Sequence, residues 1–431
     1  MFNKTCRDVC SFFLNATLER GLLLAFILFV FASPCVQAQT CTVAGTSSIP
    51  EAECQALYAL YNNTGGDNWT ENDYWLTSVN VSAWPGVFVE FVAGGWHVTQ
   101  LTFQNKNLTG EIPAELGNLT RLTDLYLGYN HLTGEIPSEL ANLENLEFLY
   151  LDGNQLTGEI PSELGSLPNL NHFAVRGNRL AGEIPPELAN LANLTDLALS
   201  SNQLTGEIPP ELGSMPNLIN LALSSNQLTG EIPAELGNLP NLEQLSLFYN
   251  YLTGPIPPEL GNPPKLRSLW IMANDFSGDL PAFLADPPEN VDLKWNRLYS
   301  SDPDVLAAME DKHEGEFLST QTLRPENISA AAVSDSGNSE NRVEVSWDPI
   351  AYTDDPGGYK VFYRKTGGTE FHYGGMTHDK AADSFRVPNL DPGVEYEFMV
   401  NAVTWQHQYN KQDLYSLDSN RVSATAGTLA R

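Results

Sequence analysis

Residues 122–145 have the sequence LTDLYLGYNHLTGEIPSELANLEN, and variants of this segment fill the middle of the chain. The glycine that opens the Gly-Glu-Ile-Pro motif or its variants recurs every 24 residues, at positions 110, 134, 158, 182, 206, 230, 254 and 278. A unit of this length cannot bury its apolar side alone, so stacked units must share a core. The period therefore predicts a solenoid of about nine stacked strands.

Each part of the repeat has a structural purpose. In Leu125-Tyr126-Leu127 the alternation sends the leucines to one face of a short strand and the middle residue to the other. Glycine permits a tight bend, and proline ends strand pairing before a short helical turn. After each strand a buried asparagine can bond backbone groups that lack a partner, which predicts an asparagine ladder. These asparagines lie at positions 130, 154, 178, 202, 226, 250 and 274.

The motifs LTGEIP (132–137) and LGNL (236–239) resemble the plant-type leucine-rich repeat, which occurs in plant receptor ectodomains and in secreted bacterial proteins. The segments ALYALY (56–61), GGDNW (65–69) and WPGV (84–87) are similar to the N-terminal cap of that family. Relatives often carry two cysteines around the last motif, where this chain has Ser82 and Val89. The resemblance therefore implies a cap held by its tryptophans and aliphatic packing instead of by a second disulfide.

Two further parts follow the repeats. The segment 302–312 begins with a helix start signal and has apolar residues one turn apart, which predicts a helix over the open end of the solenoid. Residues 313–322 are interpreted as a linker. Short β-rich runs then alternate with turn clusters, as is typical of a sandwich. Trp347 and LDPGVEYEFMV (390–400) are similar to the fibronectin type III signature, which implies a core tryptophan and, at Tyr396, a corner tyrosine bonded to backbone.

The predicted fold is mixed: a leucine-rich repeat solenoid followed by an all-β fibronectin type III sandwich. Its predicted parts are a signal peptide (1–38), an N-terminal repeat cap (39–97), about nine repeats (98–298), a C-terminal cap helix and linker (299–322) and the sandwich (323–427). The resemblance covers essentially the whole chain after the signal peptide.

The first 38 residues have the pattern of a secretory signal, because basic residues precede an apolar run and Val36-Gln37-Ala38 supplies small residues at a cleavage position. The run is shorter than the roughly 20 residues that cross a bilayer. An uncleaved signal anchor is the alternative, and a lipid anchor on Cys35 is a weaker one. We expect Cys41 and Cys54 to form a disulfide in an oxidising compartment. The predicted location is secreted, extracellular or at the cell surface, with no membrane span in the mature chain.

The composition argues against several classes of function. The 431 residues include 53 Asp and Glu against 22 Lys and Arg, a net charge of -31 that repels nucleic acid and anionic lipid. The sequence has no HExxH, GxSxG, Walker or dinucleotide-binding motif and no zinc-site spacing. Asp67, Glu71 and Asp73 lack the ordered alternation of a calcium loop, so a solvated cap loop is preferred. We predict no enzymatic activity, no cofactor and no metal site.

Two glutamate columns recur with the same period. One contains Glu111, Glu135, Glu159, Glu183, Glu207 and Glu231, and the other contains Glu115, Glu139, Glu163, Glu187, Glu211, Glu235 and Glu259. Stacking places like charges about 5 Å apart, so neighbours repel. We expect salt or divalent cations to raise the melting temperature of the repeat domain, and no rise between low and moderate salt would contradict this. The columns are interpreted as a solubilising edge, with a cation-binding stripe as the alternative.

The outward positions of the strands form the face best suited to binding. We call Thr102, Tyr126, Tyr150, Ala174, Ala198, Ala222, Ser246 and Trp270 the central column. Aromatic residues gather at its two ends and small residues in its middle, which predicts two apolar patches around a smooth trough. The predicted ligand-binding residues are Tyr126, Tyr129, Phe148, Tyr150, Asp152, Arg176, Phe248, Tyr249, Trp270 and Trp295. Aromatic side chains stack on sugars and peptides at low entropic cost, although they also simply favour strands.

The sequence thus predicts a secreted, non-enzymatic recognition protein that binds a protein, peptide or glycan on the concave repeat face. The bacterial resemblance also admits a structural or adhesive component of the cell envelope. The plant-type resemblance also admits an inhibitor of a secreted carbohydrate-degrading enzyme.

Overall fold

The computed structural model describes residues 41–43, 47–333, 342–353, 355–406, 413–416 and 418–426. The predicted signal peptide, 1–38, lies outside these residues. Two hydrophobic cores are present, one between Cys41 and Phe317 and one between Val343 and Ala426. None of the described helices is long and apolar enough to cross a membrane.

The described helices are α1 (Glu51–Asn63) and α2 (Pro303–Lys312). The strands are β1 (Thr42–Val43), β2 (Ser47–Ser48), β3 (Val87–Val92), β4 (Gly95–Thr102), β5 (Thr109–Glu111), β6 (Asp124–Tyr126), β7 (His131–Thr133), β8 (Phe148–Tyr150), β9 (His172–Ala174), β10 (Asp196–Ala198), β11 (Asn220–Ala222), β12 (Gln244–Ser246), β13 (Thr253–Gly254), β14 (Ser268–Trp270), β15 (Asp275–Asp279), β16 (Asn290–Asp292), β17 (Arg297–Tyr299), β18 (Glu326–Val333), β19 (Arg342–Asp348), β20 (Gly357–Lys365), β21 (His372–Met376), β22 (Ser384–Val387), β23 (Glu395–Thr404), β24 (Leu414–Tyr415) and β25 (Val422–Thr425). Short 3-10 turns lie at Gly66–Asn68, Val81–Ala83, Ala114–Asn118, Ser138–Asn142, Ser162–Ser166, Pro186–Asn190, Pro210–Ser214, Ala234–Asn238, Pro258–Gly261, Ala282–Ala285 and Leu318–Thr320. The turns between Ala114 and Ala285 each follow a repeat proline, so one-turn helices form the side opposite the sheet.

The N-terminal cap is built on α1 and the β3–β4 hairpin. Its core contains Trp69, Trp75 and Trp84, with ring centroids 5.1 Å apart in the first pair and 4.5 Å apart in the second. Each buried indole stabilises the cap by roughly 1.5–3 kcal/mol. The predicted disulfide between Cys41 and Cys54 is present and ties the chain before α1 to the helix.

The repeats form one sheet. In the described part of the chain, nine strands run parallel (β4, β6, β8, β9, β10, β11, β12, β14 and β16), and β3 pairs antiparallel with β4 at one edge. The register advances by 24 residues at each step from Gln100–Asp124 to Gln244–Ser268, and by 22 at the last step, Ser268–Asn290. The predicted solenoid and its register are thus confirmed.

The asparagines that follow the strands form the predicted ladder. Asn130 Nδ2 donates to the carbonyl oxygen of Phe103 in the preceding coil (2.7 Å) and of Leu127 in its own coil (2.9 Å). Its Oδ1 accepts from the Leu108 N–H (3.1 Å). The later asparagines repeat these bonds. Because a buried backbone group left without a partner costs about 1–3 kcal/mol, the ladder fixes each coil on the one before it.

Glycine is required at the bend of the repeat for two reasons. Gly206 has φ = 76°, in the left-handed region that side chains disfavour. A Cβ added there would also lie 2.8 Å from Cγ of Glu183 in the preceding coil. The first glutamate column therefore lies over the glycines of the following coils.

Helix α2 forms where the sequence predicts it. Asp302 Oδ1 accepts from the Asp304 N–H (2.9 Å), which caps the first turn. Val305 and Met309 are buried in the solenoid core. The helix therefore covers the open end of the repeats.

Residues 313–322 are not an exposed linker, and this part of the prediction is wrong. His313 is buried, and its Nε2 accepts from the Leu293 N–H (3.2 Å). Gln321 is also buried; its Oε1 accepts from the Leu298 N–H (3.0 Å) and its Nε2 donates to the Leu293 carbonyl (3.2 Å). Gln321 thus makes the bonds that an asparagine makes in each coil, and it is the last rung of the ladder.

The C-terminal domain is the predicted sandwich. One sheet has the order β18-β19-β22, and the other has the order β21-β20-β23-β24 with β25 also paired to β23. Trp347 and Tyr359 lie in the core with ring centroids 4.9 Å apart. The Tyr396 hydroxyl accepts from the Asp391 N–H (3.1 Å). The core tryptophan and the corner tyrosine are therefore confirmed.

The sandwich is bonded directly to the last coil. Arg297 Nη1 donates to the Tyr415 carbonyl oxygen (2.8 Å), and the hydroxyls of Thr322 and Thr404 lie 2.6 Å apart. Trp295 packs against the sandwich core. Since Thr322 N–H also donates to the Asn296 carbonyl (2.9 Å), the junction continues the backbone pairing of the solenoid.

Candidate ligand-binding face

The central column lies in line across the sheet. Each of its members is the direct neighbour of the next, from Thr102 beside Tyr126 to Ser246 beside Trp270. The register places Asp292 after Trp270. The parallel sheet therefore presents these side chains as one row on the concave face.

An aromatic stack occupies the N-terminal part of this face. It consists of Tyr126, Phe148, Tyr150 and His172. The rings of Tyr126 and Tyr150 are 5.2 Å apart at 19°, and those of Phe148 and His172 are 5.0 Å apart at 15°. The Tyr126 hydroxyl donates to Asp124 Oδ1 (3.0 Å). Burial, together with that carboxylate, raises the pKa of Tyr126 to about 12, so the phenol stays neutral at physiological pH.

His172 is a member of this stack that sequence reasoning missed. The histidines were considered only as catalytic or metal-binding groups. His172 pairs with Phe148 in the sheet register, one coil further along. The 24-residue period could have placed it there, had the column of Asp124 and Phe148 been extended.

A polar row crosses the face beside the stack. It contains Asp152, Arg176, Asp196 and Asn220. Asp152 Oδ1 accepts from the Arg176 backbone N–H (2.8 Å), and Asn220 Nδ2 donates to Asp196 Oδ2 (3.1 Å). Arg176 Nη2 lies 3.6 Å from Asp196 Oδ1. Burial raises the pKa of Asp152, and burial with the charges of Asp196 and Asp152 raises the pKa of Tyr150.

The middle of the face is the smooth trough that the sequence predicts. Ala174 and Ala198 are 4% and 0% exposed, so larger neighbours shade them. The hydroxyls of Ser200 and Ser224 bond one another at 2.9 Å. The trough therefore offers backbone and small side chains to a ligand, without protruding groups.

The second aromatic patch lies at the C-terminal end. Phe248 and Tyr249 meet edge to face with centroids 5.4 Å apart, and Trp270 is half-buried at the end of the central column. Five strand steps separate Tyr150 from Trp270, which is about 24 Å at the usual strand spacing. The structure does not bring the two patches together.

Three exposed or half-buried aromatics depart from the predicted face. Tyr129 follows β6 with φ = 57° and is 66% exposed. Trp295 packs against the sandwich, so it belongs to the domain junction. Phe88 was not predicted, but it is 51% exposed and pairs with Gln100, which extends the face into the cap. Its signal was the alternating run of β3, which sequence reasoning did not place beside β4.

The glutamate columns form a separate feature. They line an open groove of about 1670 Å³ between Glu111 and Pro186. No group of three or more His, Cys, Asp or Glu side chains is placed to hold a metal ion in the described residues. In the cap loop, Asp67 accepts from the Tyr61 hydroxyl (2.8 Å) and Glu71 pairs with Lys106 (2.8 Å).

Comparison with protein families finds a leucine-rich repeat region at residues 97–289 and a fibronectin type III domain at residues 325–412. No curated protein matches the chain. These two regions agree with the solenoid and the sandwich described above.

Solved structures similar to this chain include plant receptors. The LRR ectodomain of the receptor kinase GASSHO1/SCHENGEN3 from Arabidopsis thaliana, in complex with Casparian strip integrity factor 2, is 36% identical with a TM-score of 0.50. The match covers 59% of this chain and 34% of the receptor chain, so this chain spans about a third of the receptor ectodomain.

Two further structures share the repeat. A TDR receptor is 39% identical over 48% of this chain and 36% of its own, with a TM-score of 0.46. A plant ice-binding protein is 27% identical over 60% of this chain and 91% of its own, with a TM-score of 0.49.

Proposed function

Because the chain is a leucine-rich repeat protein with a C-terminal fibronectin type III domain, we propose that it is a secreted, non-enzymatic recognition protein that binds an extended peptide along the central column. The observation that carries the proposal is the trough between two aromatic patches. The GASSHO1/SCHENGEN3 ectodomain, whose repeats are 36% identical, was solved with a bound factor, which supports a recognition role for this type of repeat.

The dimensions of the face suit a short extended segment. Tyr150 and Trp270 are about 24 Å apart, and an extended chain advances about 3.3–3.6 Å per residue. About seven residues therefore connect the two patches. An extended backbone fits a floor of Ala174, Ala198 and Ser224, because small residues let it approach the sheet.

Secretion is part of the proposal. The disulfide between Cys41 and Cys54 supports an oxidising compartment, and the segment 1–38 has the signal pattern. The envelope and inhibitor roles stay predictions from the sequence.

The test begins with a displayed library of random heptapeptides selected on the purified chain. A selected peptide is then titrated against the wild type and a variant with Tyr150→Ala and Trp270→Ala. We expect affinity to fall at least 100-fold, because two aromatic anchors are lost. Trp295 is left intact, since its removal would disturb the domain junction.

The matched control is Tyr373→Ala, which removes an exposed aromatic residue from the sandwich. It should bind like the wild type. Binding that survives in the double variant, while both variants keep the wild-type melting temperature, would move the site away from the central column.

A further inference from the structure

The aromatic stack stops in the middle of the sheet. Along the central column, Tyr126 and Tyr150 are followed by Ala174. Strands lie about 4.8 Å apart, close to the 5.2 Å between the two tyrosine rings. A planar group placed on the face of Tyr150 that looks toward Ala174 would therefore continue the stack. We call this space, bounded by Tyr150, His172, Ala174 and Asp196, the slot.

The far side of the slot carries hydrogen-bond acceptors. Asp196 pairs with His172 in the register and lies one strand beyond it. Its carboxylate has one contact with Arg176 at 3.6 Å, which is longer than a hydrogen bond, and one bond from Asn220. Asn220 Oδ1 is buried and accepts no hydrogen bond from the described residues. The slot thus combines an aromatic wall with acceptors that have bonding capacity left.

A guanidinium group matches this combination. It is planar and stacks on aromatic faces, and its five N–H donors suit a carboxylate. A lysine ammonium is a compact charge that cannot stack as a plane, and a neutral sugar stacks without the charge. We infer that the slot takes the guanidinium of an arginine side chain in the peptide ligand, an inference that rests on the proposed function.

Arg176 acquires a definite role under this inference. Its side chain is 50% exposed and lies near Asp196 without a close bond, so it competes weakly for the same carboxylate. Arg176→Gln should therefore strengthen binding of an arginine peptide, by about two- to five-fold. If Arg176 instead held a carboxylate of the ligand, the same change would weaken binding.

The first test compares matched peptides on the wild-type chain. A heptapeptide from the selection is synthesised with arginine, citrulline or lysine at its enriched position. Citrulline keeps the planar shape and removes the charge. We expect the citrulline peptide and the lysine peptide each to bind at least ten-fold more weakly than the arginine peptide.

The second test fills the slot from the protein side. Ala174→Phe should bring the affinity ratio of arginine to citrulline peptides close to one, because the new ring takes the place of the guanidinium. Aromatic residues already occupy this column at Tyr126 and Trp270, so the strand accommodates the change. Ala222→Phe, two strands further along the same column, is the control that should keep the ratio whatever it does to overall affinity. Melting temperatures confirm that both variants fold.

The outcomes separate the two proposals. Equal affinity for arginine and citrulline, with binding still dependent on Tyr150 and Trp270, overturns the arginine inference and leaves the proposed function intact. A ratio that survives Ala174→Phe also overturns it, since the guanidinium would then bind elsewhere. Failure of any heptapeptide to bind the wild type overturns both.

Discussion

The interior of the solenoid and its concave face follow opposite rules. At the ladder position every coil from Asn130 to Asn296 has the same residue, because each amide bonds its own coil and the one before it. On the central column the same strands carry tyrosine, alanine, serine and tryptophan in turn. The strand needs none of these side chains for its pairing. Positions that stay constant thus describe the scaffold, and positions that vary are available for recognition.

The largest expected effect is at the ladder. Asn202→Ala removes bonds to the carbonyls of Val175 and Leu199 and from the Leu180 N–H, all buried. We expect the free energy of unfolding to fall by about 2–5 kcal/mol, measured by chemical denaturation. The adjacent exposed change Gln203→Ala should stay within about 0.5 kcal/mol. Equal effects at the two positions would remove the distinction between interior and surface.

A smaller effect is expected at the last rung. Gln321→Ala leaves the Leu298 N–H and one bond of the Leu293 carbonyl without this partner. Because only the terminal coil depends on it, the loss should be about 1–3 kcal/mol in the same denaturation experiment. An unchanged stability would show that the connector merely lies beside the ladder.

The bend glycine separates backbone strain from side-chain contact. Gly206→Ala should cost about 1–2 kcal/mol from its positive φ, plus the contact with Glu183. Glu183→Ala alone should be nearly neutral, and in the double variant it should recover the contact part of the loss. A double-mutant cycle of thermal or chemical unfolding measures this. Strict additivity would contradict the stacking of glutamate on glycine.

The smallest effect concerns the surface and depends on pH. Burial raises the pKa of Asp152, so the folded state disfavours its charged form. The stability that this raised pKa contributes is therefore present below the unfolded pKa, near 3.9, and is lost as the pH rises through the folded pKa. Asp152→Asn should accordingly melt at a higher temperature than the wild type at pH 7, and the difference should shrink toward pH 4. A difference independent of pH would show that the carboxylate carries no such cost.

Much of the scaffold follows from the sequence because it repeats. The 24-residue period fixes the register, and hence the central column, since a shift of one residue would turn every leucine outward. The column of Tyr126, Tyr150 and Trp270 could therefore be aligned without a structure.

Other features lie outside the repeat. Gln321 comes from a connector with no periodicity, so only the fold shows that it completes the ladder. Trp295 has the spacing of a face residue, yet it packs on the sandwich, whose position the repeats do not specify. His172 and Asp196 gain their meaning from neighbours one coil away, Phe148 and Arg176.

The central claim is that a peptide lies in the trough between Tyr150 and Trp270. The most direct measurement is a crystal structure of the chain with the tightest selected heptapeptide. The account predicts an extended peptide over Ala174, Ala198 and Ala222, in contact with Tyr150 at one end and Trp270 at the other. A peptide bound instead in the groove of the glutamate columns, or on the fibronectin type III domain, would contradict it.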